Sequence, residues 1–289
     1  MDRALPSGGR SRRFDSCREY SIINTLKITS RDNQRLKNAK NARDGKIAGA
    51  LFVEGLRLAE ECLKSGLKIN EVFYVETFTE NPRGAALVKK LSEIGCELFE
   101  VPAALLKTIS DTKNPQGLIL VAEKPSNGKP RLESAAQIPF PLVVLLHEVN
   151  NPNNLGAIVR TAEAAGVSGL ILTKGSANPF SPKALRASMG SAFRVPVWED
   201  ADFDAAIAWG TKLGFLSICA DVSSNADYRS IDWKKPRLIV FGSEAHGLSD
   251  DEKEKIAEST KIPMKNGVES LNLAVSAGIL LFEAGRVRN

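Results

Sequence analysis

Apolar positions along the chain fall into two alternating patterns. Short apolar runs, the mark of strands covered on both faces of a parallel sheet, occupy Leu142 to His147, Gly169 to Thr173, Phe215 to Ala220 and Leu238 to Phe241. Helical periodicity follows over Leu155 to Ala165, Phe203 to Leu213 and Leu271 to Arg286. Nearer the amino terminus the same alternation predicts strands at Glu71 to Val75, Glu97 to Val101 and Gly117 to Ala122. Helices are predicted there near Arg31 to Arg43, Arg57 to Lys64 and Arg83 to Ile94. Strand alternating with helix places the whole ordered chain in the α/β class.

A chain of 289 residues exceeds one average domain, so two domains are expected. The stretch KPSNGKPRLESAA, Lys124 to Ala136, is polar and contains two prolines, which predicts a linker. The division is then a basic extension over 1–26, disordered or loosely attached; a small α/β domain over 27–123; a linker over 124–138; and a second α/β domain over 139–289. No internal repeat stands out.

Charge changes this picture by its location. Met1 to Lys46 holds 12 Lys and Arg against 5 Asp and Glu, while the remainder holds 27 against 29. A basic amino-terminal excess suits phosphate neutralisation and salt-sensitive nucleic-acid affinity, and it equally suits a solubilising tail. Within it Arg31, Arg35, Lys37, Lys40, Arg43 and Lys46 sit at helical spacing, and with Arg57 they are the candidates for docking RNA. The Arg-rich, Ser-containing start also admits an organelle transit peptide, against which Asp2, Asp15 and Glu19 count.

Composition excludes several classes. With 43% apolar and 25% charged residues the chain is an ordinary cored protein, and no apolar run approaches the roughly 20 residues that span a bilayer. Cys17, Cys62, Cys96 and Cys219 are scattered without a paired spacing, which argues against a zinc site or a disulfide framework and for a reducing cytoplasm. No GxGxxG fingerprint follows a strand, so a dinucleotide-dependent oxidoreductase is disfavoured despite the α/β alternation.

Three loops carry candidate chemistry. The first follows Leu142 to His147 and runs through NNPNNLGAIVRTAEAAG, in which Asn154 suits a helix N-cap and Arg160 lies about two turns further on. The second, FGSEAHGL from Phe241 to Leu248, places Gly242, Gly247 and the acid Glu244 beyond the carboxyl end of a strand, where α/β sheets bind ligands. The third, from Ile262, reads IPMKNGVESLNLAVSAG and leads into a long helix. Ser270 suits the cap of that helix, which leaves Asn272 in its first turn, a poor place for asparagine without a polar partner. Taken singly, each loop is equally well read as turn chemistry and solvated polar surface.

Taken together and in order, NNPNNLGAIVRTAEAAG, GSEAHGL and IPMKNGVESLNLAVSAG resemble the three motifs of the SpoU (TrmH-like) ribose methyltransferases of the SPOUT superfamily. FVEGLRLAEE and DTKNPQGLILVAE, further upstream, resemble the substrate-binding domain fused to rRNA-modifying members. Gly267 stands one place later than the glycine of many relatives, with Asn266 before it, and Leu273 replaces a commoner valine.

The resemblance implies a parallel-sheet SPOUT domain with a trefoil knot, an exception to the rule that chains avoid knots, preceded by a small L30e-like α/β domain. It implies S-adenosylmethionine as cofactor, held by Gly242, Ile262, Met264 and Leu271, and 2′-O-methylation of a ribose in structured RNA, with no metal. Asn154, Arg160, Glu244, Ser270 and Asn272 are the implied catalytic set. Arg160 engages an RNA phosphate, and the other four orient the arginine, the ribose and the cofactor. Arg31, Arg35, Lys37 and Arg57 are the leading RNA-binding candidates. His147, at a strand end, and His246, in the cofactor loop, are read as structural. A homodimer with the active site completed at the subunit interface is also implied. Ribosomal RNA is favoured over transfer RNA because of the fused domain, and a non-catalytic RNA-binding assembly factor of the same fold is the other alternative.

Overall fold

The computed structural model describes residues 25–288. Residues 1–24, with most of the expected basic extension and Cys17, lie outside the described residues. The first sheet is built from β1 (Thr25–Lys27), α1 (Gln34–Arg43), β2 (Ala50–Glu54), α2 (Leu56–Lys64), β3 (Ile69–Tyr74), α3 (Pro82–Glu93), β4 (Glu97–Glu100), α4 (Ala103–Ile109) and β5 (Leu118–Glu123). Its strand order is β1-β4-β3-β5-β2, with β5 antiparallel to both neighbours and the other pairs parallel. Phe52, Phe73 and Phe99 fill its core, the last two with ring centroids 5.2 Å apart.

The second domain runs through α5 (Lys129–Ala135), β6 (Leu142–Leu146), α6 (Pro152–Ala164), β7 (Gly169–Thr173), α7 (Pro182–Ser188), β8 (Val197–Ala201) and α8 (Phe203–Lys212). It continues with β9 (Leu216–Ala220), β10 (Arg237–Phe241), α9 (Asp250–Lys253), β11 (Glu258–Thr260) and α10 (Leu273–Arg288). Its six strands are all parallel, in the order β11-β9-β10-β6-β7-β8. Every side chain of β6, β7 and β10 is buried, which is why these strands read as continuous apolar runs. Buried Arg237 opens β10 and reaches Glu258 of β11 at 2.8 Å, tying the short edge strand to the sheet. From that edge the chain crosses the carboxyl ends of β9 and β10 to reach α10, which packs on α6.

Several expectations need correction. Residues 129–135, expected as linker, form α5, because buried Leu132 packs into the second core and the Gly128 N–H donates to the Val197 carbonyl. Thr25 and Leu26, assigned to the extension, pair with Leu98 and Phe99 in the first sheet. The first helix starts at Gln34 rather than Arg31, since Asn33 accepts the Arg35 N–H and caps it. Strands β2, β8 and β11 were not anticipated. Three-residue β11 is too short to show a pattern, and Val197–Ala201 carries acids on an edge strand.

Within and around these elements the junction between the two domains is polar and tight. Glu61 of α2 pairs with Arg194 at 2.9 Å, Asp111 with Arg186 at 2.6 Å, and Lys124 with Glu199 at 2.8 Å. Among the described residues no helix is long and apolar enough to cross a membrane.

Candidate active site

The carboxyl ends of β9 and β10 open into a cavity of about 620 Å³, in the range of pockets for ligands of this size. All three motif regions contribute to it: Asn154 from the first, Gly242 and Glu244 from the second, and Ile262, Met264, Ser270, Leu271 and Asn272 from the third. All four expected cofactor residues and four of the five expected catalytic residues therefore share one cavity. Arg160 does not.

Backbone proximity explains the second motif. A Cβ on Gly242 would stand 2.2 Å from the backbone carbon of Gly247, so the loop can close on itself only with glycine at 242. The Ser243 and Gly247 backbones exchange hydrogen bonds of 3.2 and 3.0 Å, holding the loop as a compact ring at the cavity wall. The third motif reverses direction at Asn266 and Gly267, where the Val268 N–H donates to the Lys265 carbonyl.

The polar side chains form a relay. Glu244 accepts hydrogen bonds from the backbone N–H groups of Asn150 and Asn151, each at 3.3 Å, and from the Asn154 amide at 3.2 Å. Asn154 in turn accepts from the Asn272 amide at 3.2 Å. Asn272 then accepts from the N–H groups of Ala274 and Val275, at 2.9 and 3.3 Å. The relay joins the opening of α6 to the opening of α10 through a carboxylate in the cofactor loop.

Two capping expectations are thereby corrected. Asn272, not Ser270, caps α10, which runs Leu273–Arg288 instead of starting at Leu271. Asn151, not Asn154, caps α6, because Pro152 takes the first helical position and the Asn151 side chain accepts the Asn153 N–H. Asn154 is thus free to turn its amide toward Glu244. The asparagine that seemed misplaced inside a helix, Asn272, is at its end.

Asp221, Val222 and Lys253, not singled out from sequence, also line the cavity. Asp221 pairs with Lys253 at 2.9 Å. Burial pushes its carboxyl up, but Lys253 and the Ser223 N–H and hydroxyl prevail and hold it below the ordinary carboxylate value. The available signal was its position directly after a predicted strand, at the carboxyl end of the sheet. His147 sits behind the cavity, with one ring nitrogen 3.1 Å from the Thr173 hydroxyl and the other 2.8 Å from Glu252. His246 is exposed on the cofactor loop.

Residue 160 follows residue 154 by six positions, about 9 Å along α6 and roughly 240° around it. Arg160 accordingly lines a different depression, of about 420 Å³, between α2 and α6 at the domain junction. Arg57 lines the same depression. Of the other RNA-binding candidates, Arg35 is already committed: it donates to Glu71 and Glu97 and lies 4.7 Å from the Phe99 ring centroid. Arg43 donates to the Ser110 carbonyl and to Asp44. Arg31, Lys37, Lys40 and Lys46 remain exposed.

Among the described residues no group of three or more His, Cys, Asp and Glu side chains is placed to hold a metal ion. The donor set suits a neutral-to-cationic organic ligand: backbone groups of three loops, apolar Ile262, Met264 and Leu271, and the Glu244 and Asp221 carboxylates. S-adenosylmethionine, a nucleoside bearing a sulfonium and an amino acid, fits that set.

Comparison with known proteins gives the same division. The SpoU rRNA Methylase family model matches residues 141–282, and an MRM3-like substrate binding domain matches residues 32–120. The mitochondrial rRNA methyltransferase 3 of Mus musculus is 31% identical, over 82% of this chain and 68% of the relative. The 23S rRNA (guanosine(2553)-2′-O)-methyltransferase RlmP of Bacillus subtilis is 29% identical, over 88% and 97%. The crystal structure of an AdoMet-bound rRNA methyltransferase from Sinorhizobium meliloti superposes with a TM-score of 0.78 at 32% identity, over 91% of this chain and 98% of that one.

Proposed function

The chain belongs to the SpoU family of S-adenosylmethionine-dependent RNA methyltransferases, and on that premise we propose that it methylates a ribose 2′-hydroxyl of ribosomal RNA. The observation that carries this reading is the meeting of all three motif regions in one cavity, joined by the Glu244–Asn154–Asn272 relay. The choice of ribosomal over transfer RNA rests on the first domain, which resembles a substrate-binding domain. RlmP and the mitochondrial relative bear rRNA names. We further propose that the crossing segment before α10 threads the trefoil knot expected of this family.

When bound, the cofactor supplies an electrophilic methyl group on sulfur. A ribose hydroxyl is a weak nucleophile, so the protein's contribution is alignment and charge stabilisation. Gly242, Ile262, Met264 and Leu271 form the wall against which the adenosyl part rests. Glu244 fixes the Asn154 amide, and Asn272 fixes Asn154 from the other side, so neither side chain needs to reorganise during the reaction. Ser270, which lines the same cavity, completes the polar rim. Arg160 holds the RNA phosphate beside the reacting ribose. A guanidinium does not surrender its proton near neutrality, so Arg160 stabilises the developing negative charge electrostatically, and the hydroxyl proton leaves toward phosphate and solvent.

Arg160 does not line the cavity of its own chain, and we propose that it serves the cavity of a second subunit in a homodimer, a reading that α10 supports. That helix is apolar on nearly every side: Ala277, Leu280, Leu281 and Ala284 are buried against its own domain, yet Val275 and Phe282 are 51% and 56% exposed. A helix apolar all round is covered all round in a stable protein. Cys62, Cys96 and Cys219 are free thiols, which suits a reducing cytoplasm.

The test is incubation with labelled S-adenosylmethionine and separate unmodified rRNA and tRNA pools, followed by mapping of any 2′-O-methyl nucleotide. Arg160→Ala is expected to lower the rate on rRNA by about 10²–10³-fold, the loss of one charge-stabilising group, with cofactor affinity retained. Methylation of tRNA alone reverses the substrate assignment. Cofactor binding without methylation of either pool moves the reading to a non-catalytic assembly factor.

A further inference from the structure

The depression at the domain junction has a charge pattern that the cofactor cavity lacks. Five cations and three carboxylates line it, and every carboxylate is spoken for. Glu60 pairs with Arg83, Glu61 with Lys64 and Arg194, and Glu163 with Arg194. Among the described residues no carboxylate lies within 4 Å of Arg57 or of Arg160, and both side chains are exposed. One comes from the first domain and the other from the second.

We propose that Arg57 and Arg160 form a single seat for one RNA backbone phosphate, with Arg194 as the positioning residue that keeps its two halves in register; this rests on the RNA-methyltransferase reading above. Arg194 is suited to the task because its planar fork holds Glu163 of α6 through two nitrogens while its third nitrogen reaches Glu61 of α2. Gly190, just before it in the chain, sits so close to α2 that a Cβ there would stand 2.6 Å from the Glu61 Cβ. The domains therefore meet rigidly at this point. Two guanidiniums lining one shallow depression without a carboxylate partner carry the charge and the donors to take the two non-bridging oxygens of a phosphodiester. The first domain thereby delivers RNA directly to the arginine that serves catalysis.

The test uses the full chain and unmodified, in vitro transcribed large-subunit rRNA, with affinity measured across a salt series. Arg57→Gln and Arg160→Gln are each expected to flatten the dependence of log affinity on log salt by about 0.7–0.9, the loss of one phosphate contact. Because the phosphate is shared, the double variant is expected to flatten it no further than either single one. An unchanged slope in Arg57→Gln, or additive losses in the double variant, overturns the shared seat. Arg194→Met is expected to raise KM for the RNA about tenfold, to lower kcat by a smaller factor because Arg160 also serves catalysis, and to leave cofactor affinity in place, with partial rescue by Arg194→Lys. An equal loss in kcat and cofactor affinity would mark Arg194 as merely structural and overturn its positioning role. The two readings fail separately. Wild-type methylation of this RNA with an unchanged Arg57→Gln slope removes the seat alone, whereas absence of wild-type methylation with the expected slopes removes the enzymatic reading alone.

Discussion

The two depressions on this protein differ in what lines them. The cavity at the carboxyl ends of β9 and β10 is walled by backbone and apolar groups, and its polar side chains are bonded to one another: Glu244 to Asn154, Asn154 to Asn272 and Asn272 to the start of α10. The junction depression is walled by long charged side chains whose pairing leaves two arginines over. A preorganised cavity of the first kind recognises one molecular shape. Unpaired cations of the second kind recognise any phosphate that geometry allows, and salt weakens them. Features suited to shape and to charge thus lie in different places, and Arg160, though in the first motif by sequence, belongs to the second place by position.

The largest expected break in that comparison comes from Gly242→Ala. The new Cβ meets the Gly247 backbone, and overpacking of about 1–3 kcal/mol, if it falls on the bound state, corresponds to roughly a 5–150-fold loss of cofactor affinity. Calorimetric titration with S-adenosylmethionine checks it, and the salt slope for RNA is expected to stay as in the wild type. Unaltered cofactor affinity would show that the loop is not the cavity wall. Next comes Asn272→Ala, which removes the α10 cap at a cost of about 1 kcal/mol, or about 2–4 °C in Tm for a domain of this size. Asn272→Asp keeps the cap but loses the amide donor to Asn154, so Tm is expected to recover while methylation does not. Joint recovery would reduce the residue to a cap.

A smaller effect separates committed from uncommitted arginines. Arg35→Ala gives up contacts with Glu71, Glu97 and the Phe99 ring, and in this partly exposed setting the stability loss is at most about 1 kcal/mol. The RNA salt slope is expected to remain unchanged, in contrast to Arg57→Gln. A slope lowered as much as in that variant would show that Arg35 abandons its carboxylates for phosphate.

The smallest effect concerns pH. The Arg194 hydrogen bonds hold the Glu163 carboxyl below its ordinary value, and Lys64 with Arg194 does the same for Glu61. A carboxylate whose pKa is depressed by folding contributes fully above its unfolded value, near 4.3, and loses that contribution as pH falls through the lower folded value. Coupling between the domains is therefore expected to hold at neutral pH and to loosen below about pH 4. Differential scanning calorimetry checks this: one transition at pH 7 should broaden toward two on acidification, and a single sharp transition throughout would locate the coupling elsewhere.

Much of this was legible before the fold was known. The strands Gly169–Thr173 and Leu142–Leu146 declared themselves because a strand buried on both faces has to be apolar throughout. The motif residues that line the cavity were legible for a different reason: taken singly each loop reads as turn chemistry, and only the three segments in order, through their resemblance to one family, single those residues out. Arg35 and Arg57 shows where such reading stops. Both are arginines near helix starts in the first domain, and nothing local distinguishes the one held by Glu71 and Glu97 from the one left without a carboxylate. The carboxylates that hold Arg35 lie 36 and 62 residues away along the chain, a separation that no local pattern reveals.

The sequence by itself determined the α/β class and the all-apolar central strands, because each depends on local periodicity and on exclusion from water, and it singled out the three cavity-lining segments only through their joint resemblance to one family. Only the tertiary structure decided that Asn272 rather than Ser270 caps α10, that residues 129–135 fold onto the second domain, and that Arg160 faces the domain junction. Those outcomes depend on which distant groups arrive within hydrogen-bonding or Coulombic reach, and that reach is a few ångströms in space whatever the separation along the chain.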